Sequence, residues 1–361
     1  MLKSFLFRLG AIGILFFITQ TSTAAKKYTP PELQAPPANE VGVDPLIESA
    51  WYLERMGVYS AWQITRGSRD VVIAIVDSGI NYNHPELANS LKHNLLDCNF
   101  NGVDDDRNGY VDDCVGYNFS EWVSLPWDDG GHGTFIASII AGENNNKVGS
   151  SGVCPGCSIM PIRFLDSDGF GDDGDSINGI EYAVKMHASV INLSFAGEGY
   201  DQKLRNILKE ALAQDIVIVA AAGNDGANND KQSVYPANYH MPNLLSVASS
   251  RRDNDLSEES NYGARNVHLA AAGTTIWGLW SDSKWYRSQG TSFAAPMVAA
   301  TAGLMRSANP RLSAVEVVTI IKNTVTLSPA LKGKVRMGGV LNADAAVRCA
   351  VDPELSCLKK K

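Results

Sequence analysis

The chain has 361 residues, enough for one or two domains, and its 45% hydrophobic and 19% charged content is an ordinary globular balance with ample material for a core. A formal charge of -8 with no cluster of Lys or Arg argues against a nucleic-acid or anionic-membrane partner. In chain order, Lys3 and Arg8 lead into an apolar run over 9–18 and then Thr21-Ser22-Thr23-Ala24-Ala25. That is the form of an export signal over 1–25, cleaved near Ala24 or Ala25, since the apolar run falls well short of the roughly 20 residues that span a bilayer. No later segment is apolar for long enough to span. Residues 26–44 hold Pro30, Pro31, Pro36 and Pro37 among polar residues and read as an extended linker or short pro-segment. A single domain is expected over 45–348, with a tail over 349–361. From Asp70 onward β-branched runs alternate with helical patterns, which predicts an α/β fold of three layers, a mostly parallel central sheet with helices on both faces. Strands are expected over 71–76, 158–164, 190–193, 216–221 and 244–248, and helices over 134–141, 176–187, 201–214, 292–307 and 314–323.

Three segments bring chemistry to this frame: Val76-Asp77-Ser78-Gly79, Gly131-His132-Gly133-Thr134 and Gly290-Thr291-Ser292-Phe293-Ala294-Ala295-Pro296. A serine hydroxyl is a poor nucleophile at neutral pH, so it needs an imidazole to take its proton and a carboxylate to hold that imidazole in the right tautomer. Asp77, His132 and Ser292 can fill those roles. Asp77 follows an apolar strand pattern, the place where open parallel sheets carry their ligand sites. Ser292 is expected to begin a helix with Pro296 in its first turn, so that free N–H groups and the positive helix end face the reacting group. The other histidines, His84, His93, His187, His240 and His268, stand in no comparable context.

The order Asp, His, Ser differs from that of α/β-hydrolases and of chymotrypsin-like enzymes, and Gly290 to Ala294 is not a Gly-x-Ser-x-Gly elbow. Order and local contexts together resemble the subtilisin-like serine proteases, secreted bacterial members in particular, over roughly residues 44–347. The resemblance implies an exported serine endopeptidase, a subtilisin-like peptidase domain over 45–348, and an acyl-enzyme on Ser292. It makes Asn224, in Ala222-Gly223-Asn224, the donor to the oxyanion of the tetrahedral intermediate. It also implies that substrate adds as a strand along Ser194-Phe195-Ala196-Gly197 and Gly169-Phe170-Gly171, Ala196 standing where glycine is usual. Asp225 and Val234 are implied at the base of the primary specificity pocket, with conflicting preferences. The linker is much shorter than the folding propeptide such relatives usually carry.

Asp104-Asp105-Asp106-Arg107-Asn108-Gly109-Tyr110-Val111-Asp112-Asp113 sets oxygen ligands at alternate positions around a glycine, the opening of an EF-hand-type loop without its distal glutamate. Hard oxygen donors suit calcium, with Asp104, Asp106, Asn108, Asp112 and the Tyr110 carbonyl as expected ligands. Glu86 and Asn146 align with a second calcium site of relatives, Glu replacing the usual Asp. Export permits disulfides, and the cysteines fall into local pairs, Cys98 with Cys114, Cys154 with Cys157 and Cys349 with Cys357, although six thiols leave other connectivities open. Cys154-Pro155-Gly156-Cys157 has no second CxxC to complete a metal site, so a stapled turn is expected. A monomer acting on protein or peptide substrates is expected. Two other readings keep the same fold: a non-catalytic, calcium-stabilised peptide-binding module, and a transpeptidase or cyclase that passes the acyl group to an amine.

Overall fold

The structure is a computed structural model that describes residues 43–352, 354 and 356–359. The expected export signal and nearly all of the linker lie outside the described residues. The strands are β1 (Val72–Asp77), β2 (Tyr117–Asn118), β3 (Val123–Ser124), β4 (Ser158–Arg163), β5 (Val190–Leu193), β6 (Val217–Ala221), β7 (Leu244–Ser250), β8 (Leu269–Ala272), β9 (Ile276–Leu279), β10 (Trp285–Ser288), β11 (Thr326–Leu327) and β12 (Gly339–Val340). The α-helices are α1 (Trp51–Arg55), α2 (Val58–Ala61), α3 (Pro85–Ala88), α4 (His132–Ala141), α5 (Asp173–Lys185), α6 (Gln202–Ala213), α7 (Thr291–Ala308), α8 (Ala314–Asn323) and α9 (Ala343–Val351).

One sheet of ten strands runs in the order β11-β12-β8-β7-β6-β5-β1-β4-β2-β3, parallel from β12 through β2 and antiparallel only at its two outer pairs. Every residue of β1 is buried, as a strand covered on both faces requires. Its side chains alternate: Ile73 and Ile75 enter a core with Phe135, Met297 and Val298, while Val72, Ala74 and Val76 enter a second core with Ile177, Ile180 and Leu208. Helices α4 and α7 therefore cover one face, and α5 and α6 the other. The chain places β4 on one side of β1 and then crosses to β5 on the other, so the strand order reverses at β1, where a crevice opens beyond the carboxyl ends.

The predicted strands and long helices are all present, and the differences have local causes. The Asp172 side chain accepts from the Gly174 amide at 2.7 Å and starts α5 three residues before the predicted position. Strand β8, Leu-Ala-Ala-Ala, has no β-branched residue and carries no strand signal; pairing with β7 and β12 decides it. The antiparallel pair β9 and β10 and the short strands β2, β3, β11 and β12 were also not predicted. Helix α7 is buried from Thr291 through Met305, which its run of Ala and Gly permits: a Cβ at Gly303 would lie 2.9 Å from both Cys157 Sγ and Ile73 Cδ1. The disulfides are Cys98–Cys114, Cys154–Cys157 and Cys349–Cys357, the local pairing expected. Among the described residues no helix is long and apolar enough to cross a membrane.

Candidate active site

Asp77 closes β1, and its Oδ1 accepts from the Ser78 amide at 2.8 Å and from His132 Nδ1 at 2.7 Å, with both side chains buried. A carboxylate only accepts, so the proton of the neutral ring sits on Nδ1 and Nε2 keeps its lone pair. Burial alone would push the imidazole pKa down, but the Asp77 charge and hydrogen bond, with Asp128 adding, hold it above the usual 6.5. Glycines flank His132 because nothing larger fits: a Cβ at Gly133 would lie 2.1 Å from the Gly79 carbonyl oxygen, and one at Gly131, where φ is +103°, would enter the Trp280 ring. The buried Asp128 ties this turn down, accepting from the amides of Gly130, Gly131 and Thr134 and from the Ser78 and Thr134 hydroxyls. No motif in the sequence singles out Asp128, although an acid ahead of Gly-Gly-His-Gly is an Asx-turn signal.

Ser292 is the second residue of α7, not its cap, and Pro296 lies in the second turn rather than the first. Proline brings no N–H for the carbonyl four residues earlier, which here belongs to Ser292. The Ser194 hydroxyl donates to that carbonyl at 2.8 Å, and the Ser292 hydroxyl donates in return to the Ser194 carbonyl at 2.9 Å. Ser194 directly follows β5 and Asn224 follows β6, the next strand out, so both stand at the carboxyl edge of the sheet on one side of Asp77. Asn224 Oδ1 accepts from the Thr291 amide at 2.8 Å and hydroxyl at 3.0 Å, which leaves its NH2 to face away from Thr291. Ser292, His132 and Asn224 line one cavity of about 410 Å³ together with Gly169, Trp280 and Phe293.

The model of the subtilase family matches residues 68–343. The chain belongs to the subtilase family. It is 35% identical over 265 residues to Thermitase of Thermoactinomyces vulgaris, covering 73% of this chain and 85% of that protein. It is 34% identical over 300 residues to Subtilisin-like protease 1 of Plasmodium vivax, covering 78% of this chain, and it spans about half the length, 47%, of that relative. Among solved structures, one titled as proteases from Pseudoalteromonas arctica matches with a TM-score of 0.72 at 25% identity, over 86% of this chain and 99% of the other. A cold adapted subtilisin-like serine proteinase matches with a TM-score of 0.63 at 25% identity, over 76% and 88%.

The residues expected to hold substrate are distributed unevenly. Gly169 lines the main cavity, whereas Gly171 pairs with Leu165 in an isolated bridge. Phe195 and Gly197 line a second, smaller cavity with Asp173, Glu198, Asp201 and Tyr235. The Gly197 backbone is already paired with Tyr235, amide to carbonyl at 2.8 and 2.9 Å, so of the four-residue edge it is not free to take a strand. Ala196 is half-buried; Asp225 is exposed and Val234 buried, and neither belongs to the wall of the main cavity.

In the acidic loop one carboxylate oxygen each from Asp97, Asp104 and Asp106 lie within 4.8 Å of one another. Asp97 is fully buried, and its Oδ2 meets no hydrogen-bond donor. A hard cation fits that orphaned oxygen and its two neighbours. The expected ligand set is only partly assembled: Asp112 turns to the amides of Asn101 and Gly102 at 3.0 and 2.9 Å, and the Asn108 Oδ1 is taken by the Tyr110 amide at 2.8 Å. Asp97, seven residues upstream, lies outside the alternating pattern that suggests the ligands. Glu86 is fully buried with Oε1 unpartnered, while its Oε2 accepts from Asn146 Nδ2 at 2.8 Å. Burial, opposed by that bond and aided by Asp44 and Glu143, pushes its carboxyl up to about 9. Asp44 accepts the amides of Asn145, Asn146 and Lys147 beside it. Asn146, expected beside Glu86 as a ligand, turns its Nδ2 to Glu86 and gives its Oδ1 to the Val148 amide at 2.8 Å, which leaves the orphaned Glu86 Oε1 as the oxygen open to a cation.

Proposed function

We propose that this chain is an exported serine endopeptidase that cleaves protein or peptide substrates through an acyl-enzyme on Ser292. One observation carries the reading: Ser292, Asn224 and His132 line a single cavity at the carboxyl edge of the sheet, and the buried Asp77 holds the His132 ring from behind at 2.7 Å. The Ser292 hydroxyl, which donates to the Ser194 carbonyl in this structure, must turn to the free Nε2 of His132 for the first step. Nε2 takes the proton as Oγ attacks the scissile carbonyl carbon, and Asp77 stabilises the imidazolium that forms. Charge on the former carbonyl oxygen meets the Asn224 NH2 and the amide of Ser292, which lies in the first turn of α7 and so has no partner within the helix. The intermediate then breaks the C–N bond, His132 Nε2 hands its proton to the leaving amine, and water, deprotonated by the same nitrogen, releases the acid.

Calcium is proposed as a structural ion held by Asp97, Asp104 and Asp106 in the acidic loop, with Glu86 and Asn146 as a second position. It takes no part in the chemical steps. Export is supported by the signal-like segment over 1–25 and by the three disulfides, which form in oxidising compartments. The decisive experiment uses a fluorophosphonate serine reagent on the purified protein, followed by peptide mapping. Label on Ser292 with matching loss of peptide hydrolysis is expected, and none on Ser292→Ala. A folded protein that resists labelling, or a Ser292→Ala variant that still hydrolyses peptides at full rate, overturns the mechanism.

A further inference from the structure

The turn that carries Asn224 has positive φ at Gly223 (+105°) and Gly226 (+62°) and belongs to no strand or helix, yet the oxyanion role asks for a fixed donor. One buried side chain from the distant 256–263 segment grips it on both sides. Asn261 Oδ1 accepts from the amides of Asp225 at 2.9 Å and Ala227 at 2.8 Å, just after Asn224, and Asn261 Nδ2 donates to the Ala222 carbonyl at 3.1 Å, just before it. The Asn261 amide donates to the Gly223 carbonyl at 2.9 Å as well. Asn261 is fully buried, and a Cβ on Gly223 would lie 2.4 Å from its Nδ2, so the glycine is what lets the clamp close. Thr291 completes the hold from the nucleophile's helix, its hydroxyl accepting from the Gly223 amide at 3.2 Å while donating to Asn224 Oδ1.

We propose that Asn261 is a positioning residue for transition-state stabilisation: it fixes the 222–227 turn so that the Asn224 NH2 stays aimed into the cavity. It touches no reacting atom and acts only through Asn224. The physical need is plain, because a donor that swings freely pays its ordering cost during the reaction, whereas a clamped donor has paid it on folding. This inference rests on the oxyanion role given to Asn224 above.

The test is a double-mutant cycle on the intact exported protein, with kcat expressed per active site titrated by the serine reagent. Asn261→Ala is expected to lower kcat by about 10- to 100-fold with KM little changed. In an Asn224→Ala background the same change is expected to cost under about twofold, since the donor it positions is gone. A role confined to folding would lower the titratable fraction and the Tm but not kcat per site. Equal losses in both backgrounds, or no loss in either, overturn the proposal. Full kcat in Asn224→Ala alone overturns the oxyanion reading and this proposal with it. Should Asn261→Ala fail to fold, Asn261→Asp keeps the shape and the acceptor for both amides; it is expected to retain more kcat than Asn261→Ser, which cannot reach them, and the reverse order refutes the clamp.

Discussion

Glu86 offers a measurement in which the sign alone is informative. Its carboxyl, normally near 4.5, is pushed up to about 9 chiefly by burial, so the cation-free protein holds a proton at neutral pH that the unfolded chain releases. The folded pKa is the higher one, so the stability contribution is complete below pH 4.5 and declines as pH rises toward 9. At pH 7 the gap of roughly 2.5 units between pH and the unfolded pKa amounts to about 3 kcal/mol, at about 1.4 kcal/mol per unit. Glu86→Gln is shaped like the protonated acid, keeps an acceptor for Asn146 Nδ2, and has no proton to hold. In chelator it is expected to raise the midpoint of thermal unfolding by several degrees at pH 7 to 8 and by little at pH 4.5, where the folded carboxyl is protonated and the unfolded one is about half protonated. In excess calcium the sign inverts: the charged carboxylate pairs with the ion, and Gln forfeits that interaction. Unfolding scans of both proteins at the two pH values, with chelator and with calcium, read all four cases. A variant that destabilises equally at pH 4.5 and 8 in chelator would refute the proton argument, and a difference between the two proteins that calcium leaves unchanged would refute the second cation position.

Four further outcomes are expected. Asp77→Asn leaves the geometry but offers His132 the wrong hydrogen-bond partner, so kcat is expected to fall on the order of 10⁴-fold in single-turnover assays, the scale known for such triads. Asn224→Ala is expected to cost on the order of 10² to 10³ in kcat with KM nearly unchanged, the range measured for loss of the oxyanion asparagine in a relative of this family. The kcat/KM profile is expected to rise with a single ionisation as pH passes through the His132 pKa, because the base must be neutral; Asp77 holds that pKa above 6.5, and an acid limb at or below 6.5 contradicts the pairing. Asp97→Asn, which retains the acceptor for the Asp105 amide, is expected to weaken calcium stabilisation in unfolding scans at least as much as Asp112→Asn, whose carboxylate serves amides elsewhere.

Legibility from sequence followed the range over which each signal acts. The apolar run of β1, the acid at its end and the glycines around His132 are dictated within a few residues, and each stands where its local pattern placed it. The Ser292 context is legible as chemistry but not as geometry, because Pro296 in a second turn frees a carbonyl that a side chain 98 positions away must satisfy. Alternation alone suggests the ligands of the acidic loop, so the pattern does not reach Asp97, seven residues upstream, which groups with Asp104 and Asp106 in space. Asn261 shows the same limit more sharply: an Asn between Ser and Tyr-Gly carries no turn, cap or motif signal of its own, and its importance comes wholly from the four hydrogen bonds it makes to a loop some forty residues earlier. Local sequence thus specifies the groups proposed to react, while long-range packing specifies how tightly they are aimed. If that division holds, the triad variants and Asn261→Ala must differ in kind: the first remove a reacting group or its partner, whereas the second leaves every reacting group in place and is silent once Asn224 is gone.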